Sequence, residues 1–214
     1  MAQSYTSYFI GNSTDAQRAA SGGTCLMGGG EENDNAMRWF LRRANQGDVL
    51  VLRTSGEDGY NEYLYTELGV TVNSVETIVC HDLAAASDSY VLERISKAEA
   101  IWLAGGNQAT HLARWSNTLL ENALRSAVAE RNVAIGGTSA GMAILGGAYF
   151  SARHGTIRSA DALANPYDAR LTLENDPLVE LPYLSEVITD SHYDDPDRRG
   201  RHLVFLARAY TDYG

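Results

Sequence analysis

Positive charge is scarce in this chain. Across 214 residues, 17 Lys and Arg stand against 27 Asp and Glu, a formal net charge of −10 and a sequence pI near 4.9. No basic stretch longer than a few residues offsets that excess, which argues against nucleic acid or an anionic membrane surface as a partner. Long apolar runs are missing too: none approaches the roughly 18 residues of a membrane-crossing helix. The opening Met1-Ala2-Gln3-Ser4-Tyr5 lacks the basic and apolar blocks of a signal peptide. The chain is then either cytoplasmic, or secreted or periplasmic with its signal already removed. Cysteine is reduced to Cys25 and Cys80, each in or beside an apolar run. Both read as buried free thiols, and two isolated cysteines have no metal-ligand spacing. No metal and no cofactor are expected.

What is present is ordinary for a globular protein: 44% apolar and 21% charged residues, in a length that suits one α/β domain with a sizeable core. The polar residues 1–22 read as an N-terminal arm and residues 23–214 as the domain. Within the domain, short apolar runs alternate with helical patterns. Strands are expected at Gly23–Gly28, Asp48–Arg53, Ser74–Val79, Ala100–Ala104 and Val133–Gly136. Helices are expected at 33–45, 59–68, 88–97, 109–115 and 118–130. Past Gly147 the pattern loosens, with strands expected over Phe150–His154 and Glu186–Asp190, a loop-rich stretch between them, and a helix from Arg198 to Tyr210. This alternation predicts a single-domain, mostly parallel sheet with helices on both faces. In such sheets ligands bind beyond the carboxyl ends of the strands. The turns at Gly28–Gly30, Thr54–Gly56, Gly105–Gly106 and Gly137–Gly141 all follow strands, so they should converge on one rim.

One of those turns carries chemistry. Gly137-Thr138-Ser139-Ala140-Gly141 follows a buried strand and precedes a helix expected to start near Met142. That is the strand–turn–helix context of a nucleophile elbow, in which flanking glycines make room for a sharp turn and the serine Oγ stands at the tip of the sheet. Ser139 is therefore the candidate nucleophile for acyl transfer. A serine nucleophile needs a base, and His192 follows a predicted strand on the same rim; His81, His111, His154 and His202 are the other histidines. Asp190, Asp194, Asp195 and Asp197 all lie near His192 in sequence, and spacing does not pick one as its orienting partner. The Gly105-Gly106 turn reads either as a plain β–α turn or as a source of amides that complete an oxyanion hole, Gly106 together with Ala140. Gln108 would then be a donor at the rim. Arg198, Arg199 and Arg201 open a helix close to His192, where a guanidinium fork suits a substrate carboxylate.

Four segments together, Met27-Gly28-Gly29-Gly30-Glu31, Leu103-Ala104-Gly105-Gly106-Asn107-Gln108, Gly136 to Met142, and Asp190-Ser191-His192-Tyr193 with Arg198-Arg199-Gly200-Arg201, resemble the cyanophycinase and aspartyl-dipeptidase family of serine peptidases. Order and spacing agree over nearly the whole chain, and the chain is also similar to a secreted bacterial cyanophycinase-like group. The resemblance implies a class I glutamine amidotransferase-like (flavodoxin-like) fold. It implies Ser139 as nucleophile, His192 as base, Gly106 and Ala140 amides as oxyanion hole, and Gln108, Arg198 and Arg201 as substrate-binding residues. It implies cleavage of Asp-containing peptide or β-aspartyl isopeptide bonds through an acyl-enzyme, without a metal. The alternatives are a catalytically inactive binding or scaffold member of the same fold, or a hydrolase of small amides. Ser191 stands where cyanophycinases carry Gln, and Pro196 where they carry the first of three arginines. Family members continue to a Gly-Ile-x-x-Asp-Glu segment whose glutamate orients the histidine, and this chain is expected to lack those C-terminal strands. The expected partners are a peptide or small acidic substrate, a C-terminal fragment of the same precursor as a second chain, and a second copy in a homodimer.

Overall fold

The computed structural model describes residues 3–214, with the side chain of Pro196 excepted. Six strands form the main sheet: β1 (Tyr5–Gly11), β2 (Thr24–Met27), β3 (Asp48–Arg53), β4 (Ser74–Cys80), β5 (Ala100–Leu103) and β6 (Ala134–Thr138). Their spatial order is β1-β4-β3-β5-β6-β2. All neighbouring pairs are parallel except β1 with β4, which run antiparallel from Tyr5↔Cys80 to Gly11↔Ser74. Residues 5–11 of the expected arm are therefore a strand of the sheet. The stretch after them is also tied down: Asp48 accepts from Ala16 N–H at 3.1 Å, and Glu99 from Arg18 N–H at 3.3 Å, at the amino-terminal ends of the strands.

Alternation along the strands divides the core in two. Leu50, Leu52, Ile78, Ile101, Leu103 and Ile135 face one side, with α2 (Ser89–Lys97), α3 (Gln108–Trp115) and α4 (Leu119–Arg131) packed on them. Val49, Val51, Val75, Ala100 and Trp102 face the other, beneath α1 (Asp34–Arg43) and a π-helical segment, Tyr63–Glu67. Residues one apart on a strand point to opposite faces, so continuous apolar strands need a cover on each side. Helix α1 shows how the sequence supplies one. Asn33 accepts from Ala36 N–H to cap its start, and Met37, Phe40 and Leu41 fall on one face and are fully buried. Each such side chain contributes roughly 1.5–3 kcal/mol of burial. This is the mostly parallel α/β sheet, with helices on both faces, of the class I glutamine amidotransferase-like expectation.

The loosely patterned C-terminal third forms a small second layer. A three-stranded sheet, ordered β8-β7-β9, is built from β7 (Ala148–Phe150), β8 (Leu173–Glu174) and β9 (Ile188–Thr189). It packs with α6 (Ser159–Ala164) and α7 (Pro196–Tyr213) around Phe150, Ile157, Leu171, Ile188, Val204 and Phe205. The short α5 (Ala140–Ala143) joins this layer to the main sheet. Among the described residues, no helix is long and apolar enough to cross a membrane.

Candidate active site

Strand β6 runs into Ser139, whose backbone takes φ 50° and ψ −120° before α5 begins at Ala140, two residues earlier than expected. A non-glycine residue in that region stores on the order of 1–3 kcal/mol of strain and persists only where its surroundings enforce it. Here they do. The Ser139 N–H donates to Met27 O at 3.2 Å, and Ala143 N–H returns to Ser139 O at 2.9 Å. Gly141 lets α5 sit directly on the sheet, since a Cβ there would come within 2.6 Å of the Leu103 carbonyl carbon.

His192 reaches the same point from the second layer. The Thr189 hydroxyl donates to Ala143 O at 2.9 Å, which hangs β9 on the end of the elbow helix. The His192 N–H donates to Gly28 O at 2.7 Å, and its own backbone is left-handed with φ 57°. Its Nε2 lies 2.9 Å from Ser139 Oγ. This distance is within reach for proton transfer from the hydroxyl to the ring. Both partners are thus held by the end of β2, Ser139 by Met27 O and His192 by Gly28 O. Gly29 then passes behind both side chains with φ +101°: a Cβ on it would meet His192 Nε2 at 2.7 Å and Ser139 Cβ at 2.8 Å. The three glycines after β2 were legible as a rim turn; their role as a template for two distant residues was not.

The remaining expected residues differ in their situations. Gly105 lies against the serine, a Cβ on it being 3.4 Å from Ser139 Cβ, and Gly106 follows it against the edge of the His111 ring. The Gly106 and Ala140 N–H groups have no acceptor among the described residues. Gln108, half-buried at the start of α3, spends an amide N–H on Phe150 O and so bridges the rim to the second layer. Arg198 is half-buried and pairs only loosely with Asp195, at 3.8 Å.

Arg201 corrects the expectation of a substrate-binding guanidinium. It is 2% exposed, its Nε donates to Asp190 Oδ2 at 2.7 Å and its Nη2 to Asp190 Oδ1 at 2.5 Å. Nη1 is spent on Thr156 Oγ1 and Ile157 O, both at 3.2 Å, and the plane lies over Phe150 and Phe205. A buried bidentate pair of this kind has no fork left for a ligand. It locks α7 to the residues that lead into His192. The same pairing removes Asp190 from the candidates for orienting the histidine, and among the described residues nothing bonds to His192 Nδ1. No group of three or more His, Cys, Asp or Glu among the described residues is arranged to hold a metal ion. Cys25 and Cys80 are free and buried, and burial raises each thiol to about 11.

Residues 25–164 match the family described as Peptidase family S51. A cyanophycinase from Synechococcus elongatus is 26% identical over 211 residues, covering 95% of this chain and 62% of that protein. A cyanophycinase from Thermosynechococcus vestitus (strain NIES-2133 / IAM M-273 / BP-1) gives the same identity and coverage. The chain therefore spans 62% of the length of these two relatives. Among solved structures, that of a peptidase from an acI-B1 Actinobacterium is similar with a TM-score of 0.48 and 16% identity, over 63% of this chain and 61% of that one.

Proposed function

This chain belongs to Peptidase family S51, and from that membership we propose that it is a serine-type peptidase whose nucleophile is Ser139. The observation that carries the reading is the 2.9 Å approach of Ser139 Oγ to His192 Nε2 at a strained elbow. Ser139 Oγ attacks the scissile carbonyl as His192 Nε2 takes its proton. The tetrahedral oxyanion faces the free N–H groups of Gly106 and Ala140. His192 then gives the proton to the leaving amine, which departs and leaves an acyl-enzyme on Ser139. Water repeats the sequence and releases the acid.

The substrate we propose is an Asp-containing peptide or a β-aspartyl isopeptide, the class that the resemblance to cyanophycinases implies. With Arg201 spent on Asp190, the guanidinium groups left at this end of α7 are Arg198, loosely paired with Asp195, and the exposed Arg199, whose Nε donates to Tyr193 O at 3.4 Å. Arg198 is the one proposed to meet a substrate carboxylate, and Gln108 keeps its amide oxygen and one N–H unspent. The unbonded His192 Nδ1 calls for a carboxylate, and we propose that further polypeptide, carried on a separate fragment of the same precursor or continuous with this chain, provides it. A secreted or periplasmic setting belongs to the same proposal.

The free Nδ1 also favours a second reading, a binding protein that has kept the elbow without turnover. Hydrolysis of a β-Asp-Arg dipeptide and of α-aspartyl dipeptides, followed by amine release, separates the two. The peptidase reading expects turnover by the wild type and none by Ser139→Ala. Tight binding of the same dipeptides by both proteins, with turnover by neither, supports the binding reading instead.

A further inference from the structure

His111 takes no part in the steps above, yet it is wholly buried behind one of the turns they use. Burial pushes its pKa down to about 4, so the ring is neutral near pH 7 and carries one N–H. Ala104 O, 3.1 Å from Nε2, can only accept, which places that proton on Nε2. Nδ1, 2.8 Å from Thr54 Oγ1, then accepts from the threonine hydroxyl. The ring stacks on Trp115 at 4.4 Å between centroids. One imidazole thereby joins the ends of β3 and β5 to α3.

The turn it joins is Ala104-Gly105-Gly106. Ala104 N–H is fixed on Leu52 O at 3.0 Å and Ala104 O on His111. Gly106 sits on the edge of the ring, so closely that a Cβ there would lie 2.8 Å from His111 Cε1. In a trans peptide the carbonyl and the following N–H point in opposite directions. Holding Ala104 O on the imidazole therefore turns the Gly105 N–H away from it. Neither the Gly105 nor the Gly106 N–H has an acceptor among the described residues, and Gly105 lies against Ser139.

We propose that His111 is a positioning residue: it fixes the Ala104–Gly105 peptide plane through Ala104 O and backs Gly106 with its ring edge, so that the N–H groups of the turn stay free for the oxygen that gains charge beside Ser139. The proposal rests on the serine-peptidase reading. A phenylalanine at 111 would keep the stack and the floor of the turn but would leave Ala104 O without its donor. A glutamine could still present an amide N–H to that carbonyl.

The test compares the full-length wild type with His111→Phe and His111→Gln. It reads the ¹H–¹⁵N resonances of Gly105 and Gly106, the rate at which a fluorophosphonate labels Ser139, and thermal unfolding. His111→Phe is expected to stay folded, to move both glycine resonances, and to slow labelling by about 10- to 100-fold. His111→Gln should recover most of both. If His111→Phe does not fold, Thr54→Val, which removes the hydroxyl bonded to Nδ1, should move the same two resonances and slow labelling several-fold. Unmoved resonances, an unchanged labelling rate, or a folded His111→Gln as slow as His111→Phe would each overturn the proposal. A wild type that is not labelled at all signals failure of the serine-peptidase reading, and the oxyanion role of the turn falls with it. A labelled wild type with equally reactive variants signals failure of the His111 assignment alone.

Discussion

Gly29 and His192 meet at the rim beyond the end of β2, the glycine backbone lying where a single added Cβ would press on His192 Nε2 at 2.7 Å. The turn after β2 is the common support of the two groups proposed to do the chemistry, since the preceding residues also take the Ser139 and His192 amides. Distance along the chain hides this, because 53 residues separate the serine from the histidine.

Gly29→Ala is therefore expected to be a site mutation more than a stability mutation. The positive φ costs about 1–2 kcal/mol for alanine, and the new methyl group displaces the imidazole. Serine labelling should slow by at least about 100-fold, the scale on which catalytic geometry is lost by a small displacement. Thermal unfolding and labelling kinetics on the same protein check it: loss of Tm with unchanged reactivity would show that the turn does not support the pair.

Arg201 and Arg198 should separate cleanly. Arg201→Met leaves Asp190 buried without its partner, which costs about 3–5 kcal/mol. Arg198→Ala breaks only the loose, partly exposed contact with Asp195 and should change stability by no more than about 0.5 kcal/mol. It should raise KM for an aspartyl dipeptide while leaving kcat nearly unchanged. Urea unfolding and steady-state kinetics of both variants test the pair. A stable Arg201→Met with a raised KM would return Arg201 to the substrate.

His111 gives stability a specific pH dependence. Its pKa falls from 6.5 in the unfolded chain to about 4 in the folded one because burial disfavours the charged ring. Between those values the unfolded chain binds a proton that the native ring refuses, so stability is complete above about pH 6.5 and declines as pH drops toward about 4. The gap corresponds to about 3 kcal/mol. Unfolding measured at about pH 7 and about pH 4.5 should show a fall smaller by about 2–3 kcal/mol in His111→Gln than in the wild type. Equal falls in the two proteins would mean that the buried ring titrates normally.

The main sheet was readable because its signal is strong and local. Buried parallel strands such as Val49-Leu50-Val51-Leu52 are apolar throughout, and caps such as Asn33, Asp88 and Thr118 stand immediately before their helices. The Gly137–Gly141 pattern was readable for the same reason. What the sequence hid is set by contacts between distant residues. Tyr5–Gly11 is half-exposed and polar in places, and only its backbone pairing with β4 makes it a strand. β8 and β9 are two residues each, too short for any period to show. Arg201 reads as an exposed helix cation until Asp190 is found opposite it. The periodicity of α3 puts His111 beside Leu112 and Trp115 on a buried face, but not its bonds to Thr54 and Ala104.

The most direct test of the account is the intact mass of the wild type after exposure to a fluorophosphonate, with Ser139→Ala and His192→Ala treated alongside. A serine activated by His192 predicts a single phosphonyl adduct on the wild type, mapped to the peptide that carries Ser139. It predicts no adduct on Ser139→Ala and only slow labelling of His192→Ala. A wild type that gains no mass, or an adduct that persists in Ser139→Ala, would contradict the assignment of Ser139 as the nucleophile.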